Sequence, residues 1–364
     1  RLYARSIQSV LMFGAVAALV LALGFALLFF PPTRESGALV LYATAWLVVT
    51  YAAYSAVSVT HQSWGAMLGG DEAQRSRIVA WREGLGLVGV LLASIAPVAF
   101  GLPAMVTIFW IALVVGWLAW YSAVHPVVQR LPTAHSPEHH GARPTLWLPF
   151  SRPAFRRLIT VFVLNGIASA VPATLVLFFV QDRLQASREM EPVFLGSYFL
   201  CAALSIPLWL QVVQRIGLAR SWLTGMVLAI AVFIWAMQLG AGDTVAFVIV
   251  CALSGVALGT DLALPGALLA GVILDAGDRG RAEGAYFGWW NFATKLNLAL
   301  AAGLALPLLG LFGYAPGVSN EAALQALTVA YCVLPCLLKL AASAALYFLI
   351  IRPANAHAPA GTTP

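Results

Sequence analysis

Charge is what this chain has least of. Only 9% of its 364 residues are Asp, Glu, Lys or Arg, whereas a soluble globular domain carries about 25%. Acids number 14. Lysine occurs twice, as Lys295 and Lys339, and both fall inside apolar runs. With 61% hydrophobic residues and a mean hydropathy of +0.89, this shortage excludes a soluble domain and leaves a polytopic membrane protein. Cysteine is also scarce. Cys201, Cys251, Cys332 and Cys336 all lie within apolar segments, and no His or carboxylate stands near them to complete a metal site. No nucleophile–base pair, phosphate loop or metal cluster is present, so an enzyme is not expected. There is no signal-peptide pattern and no initiator Met; the chain opens on RLYARS and enters an apolar run at once.

What is present is a series of long apolar runs. Runs of ~20 residues bounded by charges or turn residues predict membrane-spanning helices. Ten are expected, at about 7–30, 39–60, 81–101, 104–124, 157–180, 192–213, 222–239, 244–270, 285–312 and 324–350. The basic residues fix an orientation. If Arg1 and Arg5 lie inside and the runs alternate, the inside loops also hold Arg75, Arg77, Arg82, Arg130, Arg143, Arg152, Arg156, Arg157, Arg215, Arg220, Arg279, Arg281 and Arg352. Only Arg34, Arg183 and Arg188 fall outside. This asymmetry predicts cytoplasmic termini in a cell inner membrane. The net charge of +6 is explained by these loops and does not imply a nucleic-acid partner. The expected partners are the lipid bilayer and a small polar solute, with the chain a monomer.

The longest connection, 125–156, is rich in Pro, His and Arg and reads as a cytoplasmic linker. It divides the chain into an N-terminal bundle of four spans (1–124) and a C-terminal bundle of six (157–351), followed by a disordered tail (352–364). Its cluster His135, Glu138, His139 and His140 lacks further ligands at suitable spacing, so a solvated linker is expected in place of a metal site. Within the spans, Gly84, Gly86 and Gly89, and again Gly255 and Gly259, are spaced for close helix approach. Pro172, Pro207, Pro265, Pro307 and Pro335 permit kinks.

Two charges mark a centre. Lys295 sits 11 residues past Gly284, at 1.5 Å per residue roughly 16 Å into the membrane. Asp261 sits 14 residues before Asp275, roughly 21 Å from the inside end. Both reach the depth where transporter sites are built. A lysine at that depth needs a partner, and Asp261, the one acid deep in an apolar run, is the expected one. Asp261 would then exchange a proton or pair with Lys295 during turnover, or the two would form a structural ion pair between helices.

Four stretches carry a family resemblance: Thr60–Gly89 (THQSWGAMLGGDEAQRSRIVAWREGLGLVG), Phe155–Leu184 (FRRLITVFVLNGIASAVPATLVLFFVQDRL), Pro207–Trp222 (PLWLQVVQRIGLARSW) and Gly259–Lys295 (GTDLALPGALLAGVILDAGDRGRAEGAYFGWWNFATK). In this order they resemble the glycoside–pentoside–hexuronide:cation symporter family, the melibiose-permease-like branch of the major facilitator superfamily. The resemblance implies an all-α membrane fold of two bundles, here with ten transmembrane helices as four plus six. The family has twelve, so the first two helices are expected to be missing, with Arg1–Arg5 the end of the loop that follows them. The family's main cation-binding acids lie on its second helix and a sugar-binding acid on its first. A further family acid, at the end of the fourth helix, is replaced here by Thr60.

The resemblance also assigns roles. Lys295 matches the family's eleventh-helix lysine, Arg82 a substrate-site arginine whose five-donor fork suits diols and carboxylates, and Trp64 a tryptophan near the sugar. Asn291, four residues before Lys295, shares its helix face and is placed to bond a ligand hydroxyl. Asn165, Thr174, Trp289 and Trp290 are weaker candidates. The loop charges Asp71, Glu72, Arg75 and Arg77, and Asp275, Asp278, Arg279, Arg281 and Glu283, occupy equivalent places in the two halves and are expected to form gating ion pairs on the inward side. The implied function is secondary transport of a sugar or glycoside with a proton or sodium ion and no other cofactor. A lysolipid carrier and a truncated membrane protein without transport activity are the alternatives.

Overall fold

The computed structural model describes residues 6–32, 35–126, 146–317 and 320–356. Helices and turns account for these residues, and no strand occurs among them. Nine of the described helices are long and apolar enough to cross a bilayer. They are α1 (Ile7–Phe29), α2 (Ser36–Met67), α3 (Glu72–Tyr121), α5 (Pro153–Arg183), α6 (Arg188–Ile216), α7 (Leu218–Ala236), α8 (Thr244–Asp275), α9 (Glu283–Leu311) and α10 (Glu321–Ala354). The four-residue helix α4 (Leu148–Ser151) precedes α5. The His135–His140 cluster, most of the linker, and residues 357–364 of the expected tail lie outside the described residues.

The count is nine where the sequence predicts ten, and α3 is the reason. It runs for 50 residues and takes in both expected spans, 81–101 and 104–124. A straight helix of that length would measure about 75 Å, more than twice a ~30 Å hydrocarbon core. The run is interrupted at Gly101, whose φ of 84° and ψ of 168° are not helical, and Pro103 follows two residues later. Glycine tolerates this left-handed backbone without a Cβ penalty.

Scarce polar side chains are used at helix ends, where four N–H groups have no intrahelical partner. The Ser6 hydroxyl accepts from Ser9 N–H (3.0 Å), the Asp71 carboxylate from Gln74 N–H (2.7 Å), and the Asn320 side chain from Ala322 N–H (3.1 Å). Helix α7 begins on Gly217, which has no side chain to cap it; Glu72 supplies the acceptor for Leu218 N–H at 3.1 Å. Large apolar side chains point outward instead of inward: Val98 is 88% and Leu41 74% exposed. With lipid as the surrounding solvent such faces carry no hydrophobic penalty.

The chain divides into two compact units. One comprises Arg1–Gly69, Val88–Pro149 and Ile273–Asn291; the other comprises Gly70–Leu87, Phe150–Val272 and Phe292–Pro364. In the first, α1 lies along α2, with Gly24 against the Thr50 hydroxyl. Val10, Leu11, Trp64 and Trp120 form a small core there. The second unit has an aromatic centre. Phe179 stacks on Tyr331 with centroids 4.2 Å apart, and Phe194 meets Phe247 edge-on at 5.0 Å. Phe179 and Tyr331 both sit in π-helical turns, Phe179–Arg183 and Val329–Val333. Asp182, in the first of these turns, accepts from the Tyr314 hydroxyl (2.5 Å) and from Gly317 N–H (3.2 Å). Burial, then the bond and charge of Asp182, push the Tyr314 hydroxyl above the usual tyrosine range.

Of the small residues singled out in the sequence, Gly255 and Gly259 act as expected. A Cβ on Gly255 would run into the Tyr198 backbone carbonyl, and one on Gly259 into the Ser205 hydroxyl. Gly86 and Gly89 have open space where a Cβ would stand. Gly255→Ala is therefore expected to destabilise by about 1–3 kcal/mol, since a backbone cannot move aside as a side chain does. Gly86→Ala is expected to be neutral or slightly stabilising. Thermal unfolding of the two variants in detergent checks this; equal melting temperatures would count against the packing argument.

Candidate functional site

Asp261 is the hub of the second unit. It lies on α8, 17 residues past Thr244 and 14 before Asp275. Its partner is Lys339, near the middle of α10, whose Nζ stands 2.8 Å from Oδ2. The two side chains are only 13% and 9% exposed. Three more donors close on the carboxylate. Asn165 Nδ2 (3.0 Å) and Trp222 Nε1 (2.8 Å) donate to Oδ1, and the Ser169 hydroxyl (3.2 Å) donates to Oδ2. Lys339 also donates to Ser169 Oγ at 3.0 Å. Each carboxylate oxygen thus receives two donors, which fills the four lone-pair positions of an ionised acid.

The local sequence explains the convergence. Asn165 and Ser169 are four apart on α5 and so share one face. Trp222 and Gly225 share a face of α7, and a Cβ on Gly225 would collide with the Thr260 side chain on α8. The glycine lets α7 approach α8 closely enough for the fully buried Trp222 indole to reach Asp261. An isolated buried charge would be prohibitively costly; a lysine and three hydrogen bonds make this one tenable.

A cavity of about 210 Å³ opens beside the pair within the same unit. Asp261, Lys339 and Ser169 form part of its wall, and Phe194, Phe199, Phe233, Tyr198 and Tyr331 supply rings to the rest.

These features, a charged centre at mid-helix in a bundle with lipid-facing exteriors, are those of a membrane carrier, and comparison with known proteins agrees. The family described as MFS/sugar transport protein matches residues 7–352. The chain belongs to this family. Its members are transporters and not enzymes, and the protein is a multi-pass membrane protein of the major facilitator type. An uncharacterized symporter of Bacillus subtilis (strain 168), YjmB, is 23% identical over 332 residues, covering 84% of this chain and 68% of the relative. Among solved structures, the E. coli fucose:proton symporter superposes with a TM-score of 0.65 at 13% identity, covering 94% of this chain and 84% of that one. A bacterial homologue of the iron transporter ferroportin, in its outward-facing state, gives 0.64 at 18% identity, covering 92% and 83%. These likenesses carry the fold.

The residues expected at the site distribute as follows. Asp261 is central, but its partner is Lys339; the expected pairing with Lys295 is replaced. Both lysines lie deep in apolar helices, and only the helix packing decides between them. Lys295 is on α9, in the same unit and partly exposed. Asn165, a weaker candidate, bonds Asp261 directly. Arg82 gives Nε and Nη2 to the neighbouring Glu83 Oε1 at 3.0 and 2.7 Å, so much of its fork is already engaged.

The other candidates belong to the first unit. Trp64 is 3% exposed; its indole N–H donates to the Val124 carbonyl (3.2 Å) and its ring meets Trp120 edge-on. Asn291 donates to Gln62 Oε1 and to the Phe287 carbonyl, both at 2.8 Å. The Thr60 hydroxyl donates to the Ala56 carbonyl at 2.6 Å.

Several of the loop charges bond backbone groups or a neighbouring side chain. Asp71 caps α3, Arg75 donates to the Gly70 carbonyl at 3.1 Å, and Arg279 donates to the Met67 carbonyl at 2.5 Å. Asp278 accepts from the Tyr286 hydroxyl at 2.7 Å. Arg77 and Arg281 are exposed, as is Asp275 at the end of α8. Lys339, Ser169 and Trp222 are the site residues that the sequence reading did not select. The signal for Lys339 is the one that found Lys295, a lysine inside an apolar run.

Lys339→Met leaves the Asp261 carboxylate buried without a counter-ion and is expected to cost about 3–5 kcal/mol. Adding Asp261→Asn should recover most of that loss, because the amide needs no cation. Melting temperatures of the single and double variants in detergent form the cycle; simple additivity would mean that the two groups do not act as a unit.

Proposed function

We propose that the protein moves a small polar solute of the sugar or glycoside class by alternating access, coupled to a proton at Asp261. The observation that carries this reading is a carboxylate at mid-helix neutralised by Lys339 and saturated with donors. Protonating Asp261 would remove the charge that stabilises Lys339 and would displace at least one of the four donors. Proton binding is thereby tied to a rearrangement of α5, α7, α8 and α10, which is what coupling requires. Sodium suits the site less well. It needs free oxygen ligands, and here every lone pair of Asp261 is occupied and an ammonium already stands against Oδ2. The solute class rests on the family description and on the name of the fucose:proton symporter among the solved relatives. The Arg-rich loops support a reading in which the ends of α2, α6 and α8 face the cytoplasmic side of a cell inner membrane.

The test uses the protein in proteoliposomes with an internal pH dye. Pentoses, hexoses and glycosides are added one at a time at zero membrane potential. A sugar that is carried should acidify the lumen with wild-type protein. Asp261→Asn should abolish the proton signal, a loss of at least about tenfold, while labelled-sugar exchange persists. Labelled lysophospholipid is the competing cargo. Uptake of the lipid with no sugar signal would replace the sugar reading, and sugar-linked proton movement that survives in Asp261→Asn would remove Asp261 from the coupling role.

A further inference from the structure

The cavity in the second unit carries polar groups that the ion pair does not engage. Its walls come from α5, α6, α7, α8 and α10 and are mainly aromatic and aliphatic. Its few polar groups are not equivalent. The Asp261 carboxylate has no acceptor capacity left, since both oxygens already hold two donors. Lys339 has three N–H donors and uses two, on Asp261 and Ser169. The third is unassigned among the described residues, and Lys339 lines the cavity. Ser254 lines it too, and its buried hydroxyl has no hydrogen-bond partner among the described residues. Buried polar atoms without partners are uncommon in native folds and call for a ligand or a water. The polar edge therefore offers donors, and one of them, an ammonium, can only donate.

Charge sets the second condition. Asp261 and Lys339 cancel, so the cavity has no net charge to neutralise an ion, and an ionic ligand would lose its hydration without compensation. Size sets the third. A dry cavity of about 150 Å³ accepts benzene, so about 210 Å³ accommodates one ring with a short polar substituent. We propose that this cavity binds neutral, one-ring lipophilic molecules that carry a hydrogen-bond acceptor, with the acceptor oxygen against Lys339 Nζ and Ser254 Oγ and the ring among Phe194, Phe233 and Tyr331. The argument uses the cavity's own lining and does not rest on the proposed sugar cargo.

The experiment is binding of fluorinated acetophenone to the full chain in nanodiscs, followed by fluorine NMR and corrected for partition into empty discs. Saturable binding is expected. Unlabelled acetophenone should compete about fivefold more strongly than ethylbenzene, which has the same ring and no acceptor, the order expected for one hydrogen bond. Benzoate and benzylamine, ionised at neutral pH, should compete at least about tenfold more weakly. Ser254→Ala should weaken acetophenone severalfold and leave ethylbenzene unchanged. Ala173→Phe, which adds a ring at an exposed position on the cavity wall, should abolish saturable binding while the melting temperature holds.

Equal competition by ethylbenzene would overturn the proposal and mark the cavity as an unspecific slot for lipid chains. Preference for benzylamine or benzoate would overturn the neutral-ligand argument. Absence of saturable binding to folded wild-type protein would overturn the site altogether. None of these readouts involves transport, so failure here and failure of the sugar–proton reading are separate results.

Discussion

A carboxylate in the middle of an apolar helix must be neutralised where it stands, and the interior of the second unit is arranged around that requirement at Asp261. In a soluble protein an unpaired side chain can turn to water. In a bilayer the alternatives are a proton, a counter-ion or a ring of donors. This chain uses the last two together. The cost is spread over four helices: a glycine on α7 that admits Trp222, two polar residues one turn apart on α5, and a lysine buried near the centre of α10. A pair of aliphatic side chains would fill the same volume with less desolvation. Stability alone therefore gives no reason for the pair, and its expense is the argument that it does something.

What it would do in the proposed proton coupling follows from an asymmetry. The acid is fully bonded and the base is not. A proton arriving on Asp261 finds every lone pair in use, so it enters only if a donor leaves. The donor held most strongly by charge, Lys339, is also the one whose attraction disappears on protonation. Lys339 retains a bond to Ser169 and one spare N–H, so it has somewhere to turn without leaving the site. The three neutral donors lose less, because their bonds to a protonated acid are weakened and not reversed. In the proposed coupling, protonation would loosen the contact between α8 and α10 first, and the rearrangement of α5 and α7 around the acid would follow from it.

Much of this was legible in the sequence. Composition and run length established the membrane-spanning helices, because hydrophobic length is a direct consequence of bilayer thickness. Asp261 was found the same way, as an acid where acids are costly. Pairing was not legible. Depth along a helix is read from residue count, but the direction in which a side chain faces depends on how helices pack, and Lys295 and Lys339 are both deep. The match of Lys295 to a family lysine pulled the pairing toward α9, whereas the packing puts α10 against α5 and α7, with Lys339 reaching Asp261 on α8. Trp222 was hidden for a related reason. It stands near the start of α7, where tryptophan commonly marks the membrane interface, and only the close approach allowed by Gly225 turns its N–H inward.

Several loop charges have a use besides the gating role expected of them. Their asymmetry is the basis of the orientation expected from the sequence, and pairing between loops is the natural further expectation. Locally, however, these side chains answer a more immediate demand. Helices that emerge from lipid expose unsatisfied backbone groups at their ends, and a chain with so few charges has few other groups to meet them. Glu72 stands in for the side chain that Gly217 lacks at the start of α7, Asp71 closes the start of α3, and Arg279 covers the Met67 carbonyl near the end of α2. A charge engaged this way contributes to gating only by giving up a cap. Breaking such a bond exposes backbone as well as a side chain, which makes the capped loops stiffer elements than solvated ion pairs would be. Any conformational cycle of the protein must then either carry these caps along intact or exchange them one for one.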